Sequence, residues 1–380
     1  MNVSTKTTQS STKLARSVAR ILMAGVLGAF SSATLAQEEK ILNLANWSEY
    51  IGDDTVKNFE KETGIKVNYD LFDSNEILHA KLVAGKTGYD VVVPSSNWAK
   101  LQMDGGLIRA LDKSKLPNLV NLDPVLQAQV AKLDPDNKHV VVWLWGFTTI
   151  GINVDKVKAA LGSLPMPENA WDLVFDPKYI SRLRSCGVSF LDAPSEILPP
   201  ALAYLGKPAF SKNAADYQEA GRLLQSIRPY ITLFSSVGYM NDLANGSLCV
   251  SLGWSGDLNV ARQRAIDAKN GNHIVTLVPK STAFLFFDTM AIPSDAPHPN
   301  NAHLWINYIM RPEVHAGLTN KVLYANPNAA ATKYVKKDLV ENKTVFLSDE
   351  DKKKMIMPEA SNADIRRTMS RIYTKFKTGL

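Results

Sequence analysis

Segments with the periodicity of strands alternate with segments of helical periodicity along almost the whole chain after Lys40. Extended segments are predicted at 41–46, 65–71 and 89–94, and helices at 53–61, at 74–83 and from Ser95 to Gly105. Strands that are separated by helices in this way form a mostly parallel sheet that the helices cover. The order of the elements therefore predicts an α/β fold.

The same alternation starts again after residue 140. Strands are predicted at 187–191 and 248–254, and helices at 195–205, 213–227 and 258–269. Two long extended segments, 140–153 and 273–293, enclose this second unit and could both cross between the two units. We therefore predict two lobes that are joined by more than one strand.

The chain would leave the first lobe near residue 145 and return to it near residue 280. The predicted boundaries are 37–144 for the first part of lobe 1, 145–279 for lobe 2 and 280–330 for the return to lobe 1. The sequence does not assign the C-terminal helices, 331–380, to either lobe.

The first 36 residues have the three parts of a secretory signal peptide. Four basic residues and no acidic one are followed by an apolar run at 21–30 and by small residues up to Ala36. Because about 20 apolar residues are needed to span a bilayer, this run is too short to do so. We predict that residues 1–36 are removed on export, and an N-terminal helix of the fold is the alternative. No cysteine near Ala36 offers a site for a lipid anchor.

Removal of the signal would leave a nearly neutral protein. The chain has 43 basic and 37 acidic residues, and four of the basic ones lie in the first 36, which leaves 39 against 37. The excess of positive charge thus belongs mostly to the targeting segment, and the rest lacks the basic footprint of a nucleic-acid-binding protein. No other apolar run is long enough to cross a membrane.

The chain has two cysteines, Cys186 and Cys249. Outside the cytoplasm such a pair favours a disulfide. Closure of a loop of roughly 63 residues would stabilise the fold by about 4 kcal/mol. Two buried free thiols are the alternative.

The residues that follow the predicted strands are candidates for a binding site, because ligands of open α/β sheets bind beyond the carboxyl ends of the strands. These residues lie at 47–50, 95–98, 192–196, 235–236, 254–257 and, in the return segment, 286–288. The set is rich in aromatic rings and carboxylates and contains no Lys, Arg or His. Aromatic faces attract ammonium groups, and carboxylates give them charge-assisted hydrogen bonds. This composition predicts a cationic ligand with an apolar body.

Asp288 is the strongest single candidate, because it interrupts an otherwise apolar strand and has no basic residue near it in the sequence. A buried carboxylate needs a charged or hydrogen-bonding partner, and a cationic ligand would supply one. Other candidates have structural alternatives. Glu49 and Glu196 fit the first turns of helices, and Ser95 and Asp257 fit helix caps.

The sequence gives little support for catalysis. The six histidines show no spacing typical of metal ligands, and Gly253-Trp-Ser-Gly is not the turn that carries a nucleophilic serine. No glycine-rich phosphate loop occurs, and neither cysteine has a histidine near it in the sequence to activate it. We therefore predict that the protein is not an enzyme and has neither a metal site nor a cofactor.

Several characteristic segments occur in one order along the chain. They are Asn46-Trp-Ser-Glu-Tyr50, Tyr89-Asp-Val-Val-Val-Pro-Ser95, Ser189-Phe-Leu-Asp-Ala-Pro-Ser-Glu196, Asn241-Asp-Leu-Ala-Asn-Gly246, Gly253-Trp-Ser-Gly-Asp257 and Phe286-Phe-Asp288. With these segments the chain resembles the periplasmic polyamine-binding proteins of ABC transporters, which are receptors for putrescine and spermidine. The resemblance runs from about residue 40 to the C-terminus. It implies a two-lobed periplasmic-binding-protein fold of type II, in which each lobe is a mixed sheet flanked by helices. It also implies a periplasmic monomer that closes about a hinge and docks on a membrane permease.

The resemblance further implies which residues hold the ligand. The aromatic clamp of the family falls on four rings, those of Trp47, Trp254, Phe286 and Tyr324. Asp288 would meet one ammonium group with help from Trp47 and Ser48, and Glu196 would meet the other. The remaining members of the predicted set are Glu49, Tyr50, Ser95, Ser236 and Asp257.

Two positions point to different ligand lengths. Glu49 stands where putrescine-type members usually have Asp, and Glu is more typical of spermidine receptors. Phe286 resembles the putrescine type, since spermidine receptors tend to have Trp there, which would stack along the longer chain. We favour putrescine. Spermidine, cadaverine and agmatine are alternative ligands, and an exported enzyme or a sensor domain is an alternative class.

The resemblance also pairs Cys186 with Cys249 in a disulfide, as in putrescine-type members.

Overall fold

The computed structural model describes residues 1–3, 38–280 and 283–380, and of Ala283 only the backbone. Apart from residues 1–3, the predicted signal peptide lies outside the described residues. Residues Lys40–Leu380 form one compact unit. Within the described part of the chain, no helix is both long and apolar enough to cross a membrane.

The strands of the described residues form one hydrogen-bonded sheet of ten strands. In chain order they are β1 (Ile41–Trp47), β2 (Lys66–Phe72), β3 (Val91–Val92), β4 (Val140–Asn153), β5 (Val188–Phe190), β6 (Leu233–Phe234), β7 (Val250–Trp254), β8 (Ile274–Thr276), β9 (Ala283–Ala291) and β10 (Met355–Ile356). Their order in the sheet is β2-β1-β3-β9-β4-β7-β5-β6, with β8 paired to β4 and β10 to β9.

Helices connect these strands, as the alternation in the sequence predicts. The α-helices are α1 (Thr55–Thr63), α2 (Asn75–Ala84), α3 (Ser96–Asp104), α4 (Pro124–Val130), α5 (Val154–Leu161), α6 (Asp172–Phe175), α7 (Pro177–Leu183), α8 (Pro194–Tyr204), α9 (Ala214–Ile227), α10 (Tyr239–Asn245), α11 (Ser255–Asp267), α12 (Pro299–Ile309), α13 (Pro312–Val322), α14 (Lys337–Val340), α15 (Asp349–Lys354) and α16 (Ala363–Thr378). Short 3-10 helices lie at Lys113–Lys115, Pro117–Asn121, Pro135–Asn137, Arg184–Cys186, Arg228–Tyr230 and Ala329–Tyr334.

The long strand β4 joins two groups of strands. Its first part, up to Thr148, pairs antiparallel with β9, and its last part pairs antiparallel with β7 and β8. Beyond β9 lie the parallel strands β3, β1 and β2, and beyond β7 lie the parallel strands β5 and β6. The predicted segment 140–153 is confirmed as β4, and the predicted extended region 273–293, made of the segments 273–279 and 282–293, contains β8 and β9. The lobe boundaries at 144, 279 and 330 stay a prediction.

Two predicted elements near the site have other bounds in the structure. The strand predicted at 89–94 is reduced to β3, because the carboxylate of Asp90 accepts the backbone N–H of Asn43 at 2.7 Å and Pro94 has no N–H to donate. The helix predicted at 258–269 begins at Ser255 and ends at Asp267. Its apolar pattern starts only at Leu258, which is why the sequence places its beginning too late.

The C-terminal helix α16 packs against α8 and α9. The ring of Phe376 lies 5.9 Å from that of Phe190 and 5.1 Å from that of Phe234, measured between centroids. The hydroxyl of Tyr373 donates to the carbonyl of Leu191 at 2.5 Å. This helix, which the sequence leaves unassigned, therefore contacts the strands β5 and β6.

Cys186 and Cys249 form a disulfide, as predicted. The bond joins the 3-10 helix that precedes β5 to the residue that precedes β7. Since β5 and β7 are neighbours in the sheet, the cross-link connects chain segments that are already packed together.

Candidate functional site

A cavity lies beyond the ends of the strands and contains all of the predicted ligand-binding residues except Glu49. Its predicted members are Trp47, Ser48, Tyr50, Ser95, Glu196, Ser236, Trp254, Asp257, Phe286, Asp288 and Tyr324. Phe72, Asp73, Val237 and Met240 complete the lining. None of the described residues that line this cavity is Lys, Arg or His.

Strand ends and helix beginnings place the polar lining residues. Ser48 and Tyr50 follow β1 directly. Ser95 is the residue before α3, and Glu196 and Asp257 lie in the first turns of α8 and α11. This arrangement follows from the sheet, because strand ends that lie at one edge bring the residues after them to one place.

Asp288 lies in β9 and is only 4% exposed. Its two carboxylate oxygens accept hydrogen bonds from the hydroxyls of Tyr50, at 3.0 Å, and Ser95, at 2.7 Å. An isolated antiparallel bridge between Ser95 and Asp288 sets this contact, and Asn75 donates in turn to the Ser95 hydroxyl at 2.9 Å. Burial raises the pKa of Asp288 to about 7, although both hydroxyls act against the increase.

Asp257 has two tyrosine partners. The hydroxyl of Tyr324 donates to one of its oxygens at 2.6 Å and that of Tyr239 to the other at 2.9 Å. Burial raises the pKa of Asp257 to about 6, and the two hydroxyls partly offset the increase. Both partners are neutral, so the negative charge of Asp257 is solvated but not neutralised by them.

Glu196 is a further carboxylate of the cavity. It accepts a hydrogen bond from the hydroxyl of Thr148 at 2.7 Å. Burial raises its pKa, which the hydroxyl of Thr148 and the indole of Trp254 act to lower. Asp288 and Glu196 also disfavour each other's charge, and the charge of Glu196 contributes to the high pKa of Asp288. A ligand with two positive charges would relieve this repulsion.

Aromatic rings form the walls between the carboxylates. The rings of Trp47 and Trp254 meet edge to face with centroids 5.8 Å apart, and those of Tyr50 and Tyr324 meet in the same way at 4.8 Å. Phe286 lies 6.2 Å from Tyr324. The indole N–H of Trp47 donates to the carbonyl of Val93 at 2.9 Å, which fixes the ring. Such walls suit methylene groups and ammonium groups alike.

The structure places Glu49 outside the cavity lining. Its carboxylate forms an ion pair with Arg264 of α11, and its side chain is about half exposed. Glu49 has a positive φ of 54°, a left-handed conformation that turns the backbone between Ser48 and Tyr50. Arg264 also donates to the side chain of Asn241 at 2.7 Å.

Five residues at or behind the cavity are not among those predicted from the sequence. Phe72 and Asp73 follow the end of β2, where the rule applied to the other strands would have found them. Asp73 accepts a hydrogen bond from the hydroxyl of Ser48 at 3.2 Å. Val237 and Met240 line the cavity without any recognisable pattern in the sequence. Tyr239 is fully buried and reaches Asp257 from behind.

No group of His, Cys, Asp and Glu among the described residues is arranged to hold a metal ion. The chemistry of the cavity is therefore that of buried carboxylates, hydroxyls and aromatic rings. Groups of these kinds are suited to bind and orient a cation.

Comparison with known proteins gives a consistent result. A family model described as bacterial extracellular solute-binding protein matches residues 54–344. The putrescine-binding periplasmic protein PotF of Escherichia coli is 48% identical over 94% of this chain and 97% of its own length. The putrescine-binding periplasmic protein SpuD of Pseudomonas aeruginosa is 45% identical over 94% of this chain and 98% of its own length.

Solved structures resemble the chain over most of its length. One from Listeria monocytogenes, described as a spermidine/putrescine ABC transporter, has a TM-score of 0.80 and 28% identity, and covers 89% of this chain and 99% of its own. The substrate-binding protein PotD of a spermidine/putrescine ABC transporter from Streptococcus pneumoniae has a TM-score of 0.70 and 26% identity, with 90% and 99% covered.

Proposed function

Because the chain belongs to the family of bacterial extracellular solute-binding proteins, we propose that it captures putrescine in this cavity and delivers it to the permease of an ABC transporter. The two-lobed periplasmic-binding-protein fold predicted from the sequence is confirmed by the family and by the solved structures. The protein is a binding protein of the periplasm and not an enzyme.

One observation carries the choice of ligand. Three carboxylates line a cavity whose described lining contains no basic side chain: that of Asp288 is buried, and those of Glu196 and Asp257 are partly buried. Their hydrogen-bond partners include the hydroxyls of Tyr50, Thr148 and Tyr324, and such neutral groups do not neutralise the negative charges. A diamine supplies two ammonium groups to such carboxylates and a methylene chain to the aromatic walls.

The site also supports hinge closure as the mechanism. Trp47 comes from the segment predicted as lobe 1, and Trp254 from the segment predicted as lobe 2. A ligand held between such residues binds the closed form more tightly than the open form and shifts the population towards it. Small-angle X-ray scattering should show a smaller radius of gyration when putrescine is added.

Isothermal titration calorimetry with purified protein tests the ligand. We expect putrescine to bind with a Kd of about 1 μM or tighter. Cadaverine, agmatine and spermidine complete the panel, and n-butylamine is the matched control because it has the same chain with one ammonium group. We expect n-butylamine to bind about 100-fold more weakly, since one buried carboxylate stays unpaired. Absence of heat with every polyamine would overturn the proposal.

Two further parts of the proposal concern the chain as it is exported. We propose that residues 1–36 are a signal peptide, so the N-terminal sequence of the secreted protein should begin at Gln37. We also propose that the exported protein is a monomer. Light scattering during size-exclusion chromatography should give the mass of one chain with and without putrescine.

A further inference from the structure

The helix α8 carries Glu196 in its first turn and begins without a capping side chain of its own. The residue before the helix is Ala193, whose side chain has no acceptor and forms no capping hydrogen bond. By contrast, α2 and α16 begin after Ser74 and Asn362, and these side chains accept an N–H group of the first turn. Because the first N–H groups of a helix have no partner within the helix, α8 needs an acceptor from another part of the chain.

Glu76, in the first turn of α2, supplies this acceptor. Its Oε1 atom accepts the backbone N–H of Ser195, the second residue of α8, at 3.3 Å. The two residues are 119 positions apart, and they belong to the segments predicted as lobe 1 and lobe 2. A carboxylate at the beginning of a helix satisfies an unpaired N–H group and interacts favourably with the helix dipole. Glu76 therefore caps α8 across the two predicted lobes.

The turn that Glu76 caps is loosely packed. Ser195 lines two small cavities, and Glu196 lines one of them as well as the binding cavity. Side chains that border cavities lose packing contacts on that side, so the order of this turn depends on its hydrogen bonds. The N–H of Glu196 donates to the carbonyl of Ala193 at 3.1 Å, whereas that of Ser195 donates to Glu76, outside the helix.

The charge of Glu76 also acts on the ligand site. Burial raises the pKa of Glu196, and the nearby charge of Glu76 adds to the increase. Burial likewise raises the pKa of Glu76, which hydrogen bonds from its own backbone and from the side chain and backbone of Ser195 act to lower. An ammonium group at Glu196 would relieve the repulsion between the two carboxylates. The contact between Glu76 and Ser195 is therefore most favourable when a cation is bound.

We propose that Glu76 is a positioning residue for the ligand site. When the two predicted lobes close, its carboxylate caps α8 and orders the turn that holds Glu196 against an ammonium group of the ligand. The inference rests on the proposed function, because it assigns the cap to the closed, ligand-bound form. In the open form Glu76 would be solvated, and the first turn of α8 would lack its cap. The free energy of the cap would then contribute to binding and not to the stability of the ligand-free protein.

Two substitutions of Glu76 test the proposal by calorimetric titration with putrescine. We expect Glu76→Ala to lower the affinity by about tenfold, because α8 loses its cap. Glu76→Gln should stay within about threefold of the unaltered protein, since its side-chain oxygen still accepts the N–H of Ser195. Neither substitution should change the melting temperature of the ligand-free protein. Glu313→Ala is the matched control, because Glu313 also lies in the first turn of a helix and is exposed.

Hydrogen exchange of the Ser195 amide, measured by NMR, gives a second readout that affinity alone does not. The exchange should be slow in the unaltered protein with saturating putrescine and fast without the ligand. It should be fast in Glu76→Ala under both conditions, because this amide then has no acceptor.

Each contrary result has a distinct meaning. Unchanged putrescine affinity of Glu76→Ala would overturn the inference and leave the proposed function intact. A loss of affinity as large in Glu76→Gln as in Glu76→Ala would assign the effect to charge and overturn the cap. A lower melting temperature of ligand-free Glu76→Ala, or slow exchange of the Ser195 amide without ligand, would show that the cap is independent of closure and overturn the coupling. Absence of putrescine binding by the unaltered protein would reject the proposed function and this inference with it.

Discussion

The ring of Tyr324 lies against the backbone of Gly256, where a Cβ atom would come within 2.1 Å of the ring atom Cδ2. Gly256 lies in the first turn of α11, one residue before Asp257. This close approach lets the hydroxyl of Tyr324 reach the Asp257 carboxylate at 2.6 Å. The glycine therefore positions both the aromatic wall and one carboxylate of the cavity.

We predict that Gly256→Ala lowers putrescine affinity by at least about tenfold, because the methyl group displaces Tyr324 and breaks its charge-assisted hydrogen bond. Calorimetry measures the affinity. Gly317→Ala is the matched control, since Gly317 is also helical and a Cβ there meets no atom within 4 Å. The control should bind normally and be slightly more stable. Normal binding by Gly256→Ala would show that Tyr324 is dispensable.

Asp288→Asn should weaken putrescine binding by about 3 kcal/mol, or more than about 100-fold, because a desolvated ammonium group loses its charged partner. The amide keeps an acceptor for the hydroxyl of Ser95 and nearly the same volume. Asp267→Asn, on the exposed surface of α11, controls for the change in net charge. Calorimetry that gave Asp288→Asn the affinity of the unaltered protein would remove Asp288 from the site.

Putrescine affinity should fall as the pH is lowered. The pKa values of Asp288 and Asp257 are raised to about 7 and about 6, and the ligand binds their ionised forms while its ammonium groups stay charged. For one such group the association constant should decrease by up to about tenfold per pH unit below its pKa. Titrations between about pH 8 and about pH 5.5 check this slope. An affinity that does not change with pH would contradict the prediction. In the Asp288→Asn variant the affinity should depend less on pH.

The raised pKa values have the opposite effect on the stability of the ligand-free protein, which should decrease and not increase as the pH rises. Because burial raises the pKa of Asp288, the folded protein binds this proton more tightly than the unfolded chain. The resulting stability is present below the unfolded pKa, near 4, and is lost as the pH rises through about 7. In the ligand-free protein, Asp288→Asn should therefore raise the free energy of unfolding less at low pH than at high pH. Unfolding by denaturant measures this difference.

The disulfide should stabilise the fold by about 4 kcal/mol, since it closes a loop with a sequence separation of 63 residues. We expect the double variant Cys186→Ala and Cys249→Ala to lose about this free energy of unfolding in urea. The reduced form of the unaltered protein should behave in the same way. Equal unfolding midpoints for oxidised and reduced protein would contradict the prediction.

The sequence predicts the elements well where the information is local. The largely apolar run of β4 and the periodicity of helices such as α1 and α9 are visible in single segments. The residues after the strands are then predictable too, because the sheet brings strand ends together. Most of the cavity lining follows from this rule.

Contacts between residues that are far apart in the sequence cannot be predicted from the periodicity of single segments. Ser95 occupies the position before α3, as predicted, but its side chain makes no capping bond and donates instead to Asp288. Only the pairing of distant strands brings these residues together. The place of Glu49 outside the cavity lining is not visible for a different reason. Its backbone is left-handed and its side chain pairs with Arg264, and no pattern in the sequence encodes that conformation.

Tyr239 is the best example of a residue whose role the sequence does not indicate. Its contact with Asp257 also gives a further prediction. Its hydroxyl donates to Asp257 at 2.9 Å and accepts the backbone N–H of Trp254 at 3.2 Å. A Cβ at Gly253 would come within 2.7 Å of the same ring, so this glycine makes room for it. Tyr239 thus fixes Asp257 from outside the cavity.

Tyr239→Phe should raise the pKa of Asp257 further, because the carboxylate loses a hydrogen bond that favours its ionised form. We expect putrescine affinity to fall by about fivefold near neutral pH. The loss should be larger at lower pH and smaller at higher pH, since only the ionised fraction of Asp257 changes. Tyr334→Phe, at an exposed tyrosine, is the control. A loss that is the same at every pH would show that Tyr239 acts through packing and not through the charge of Asp257.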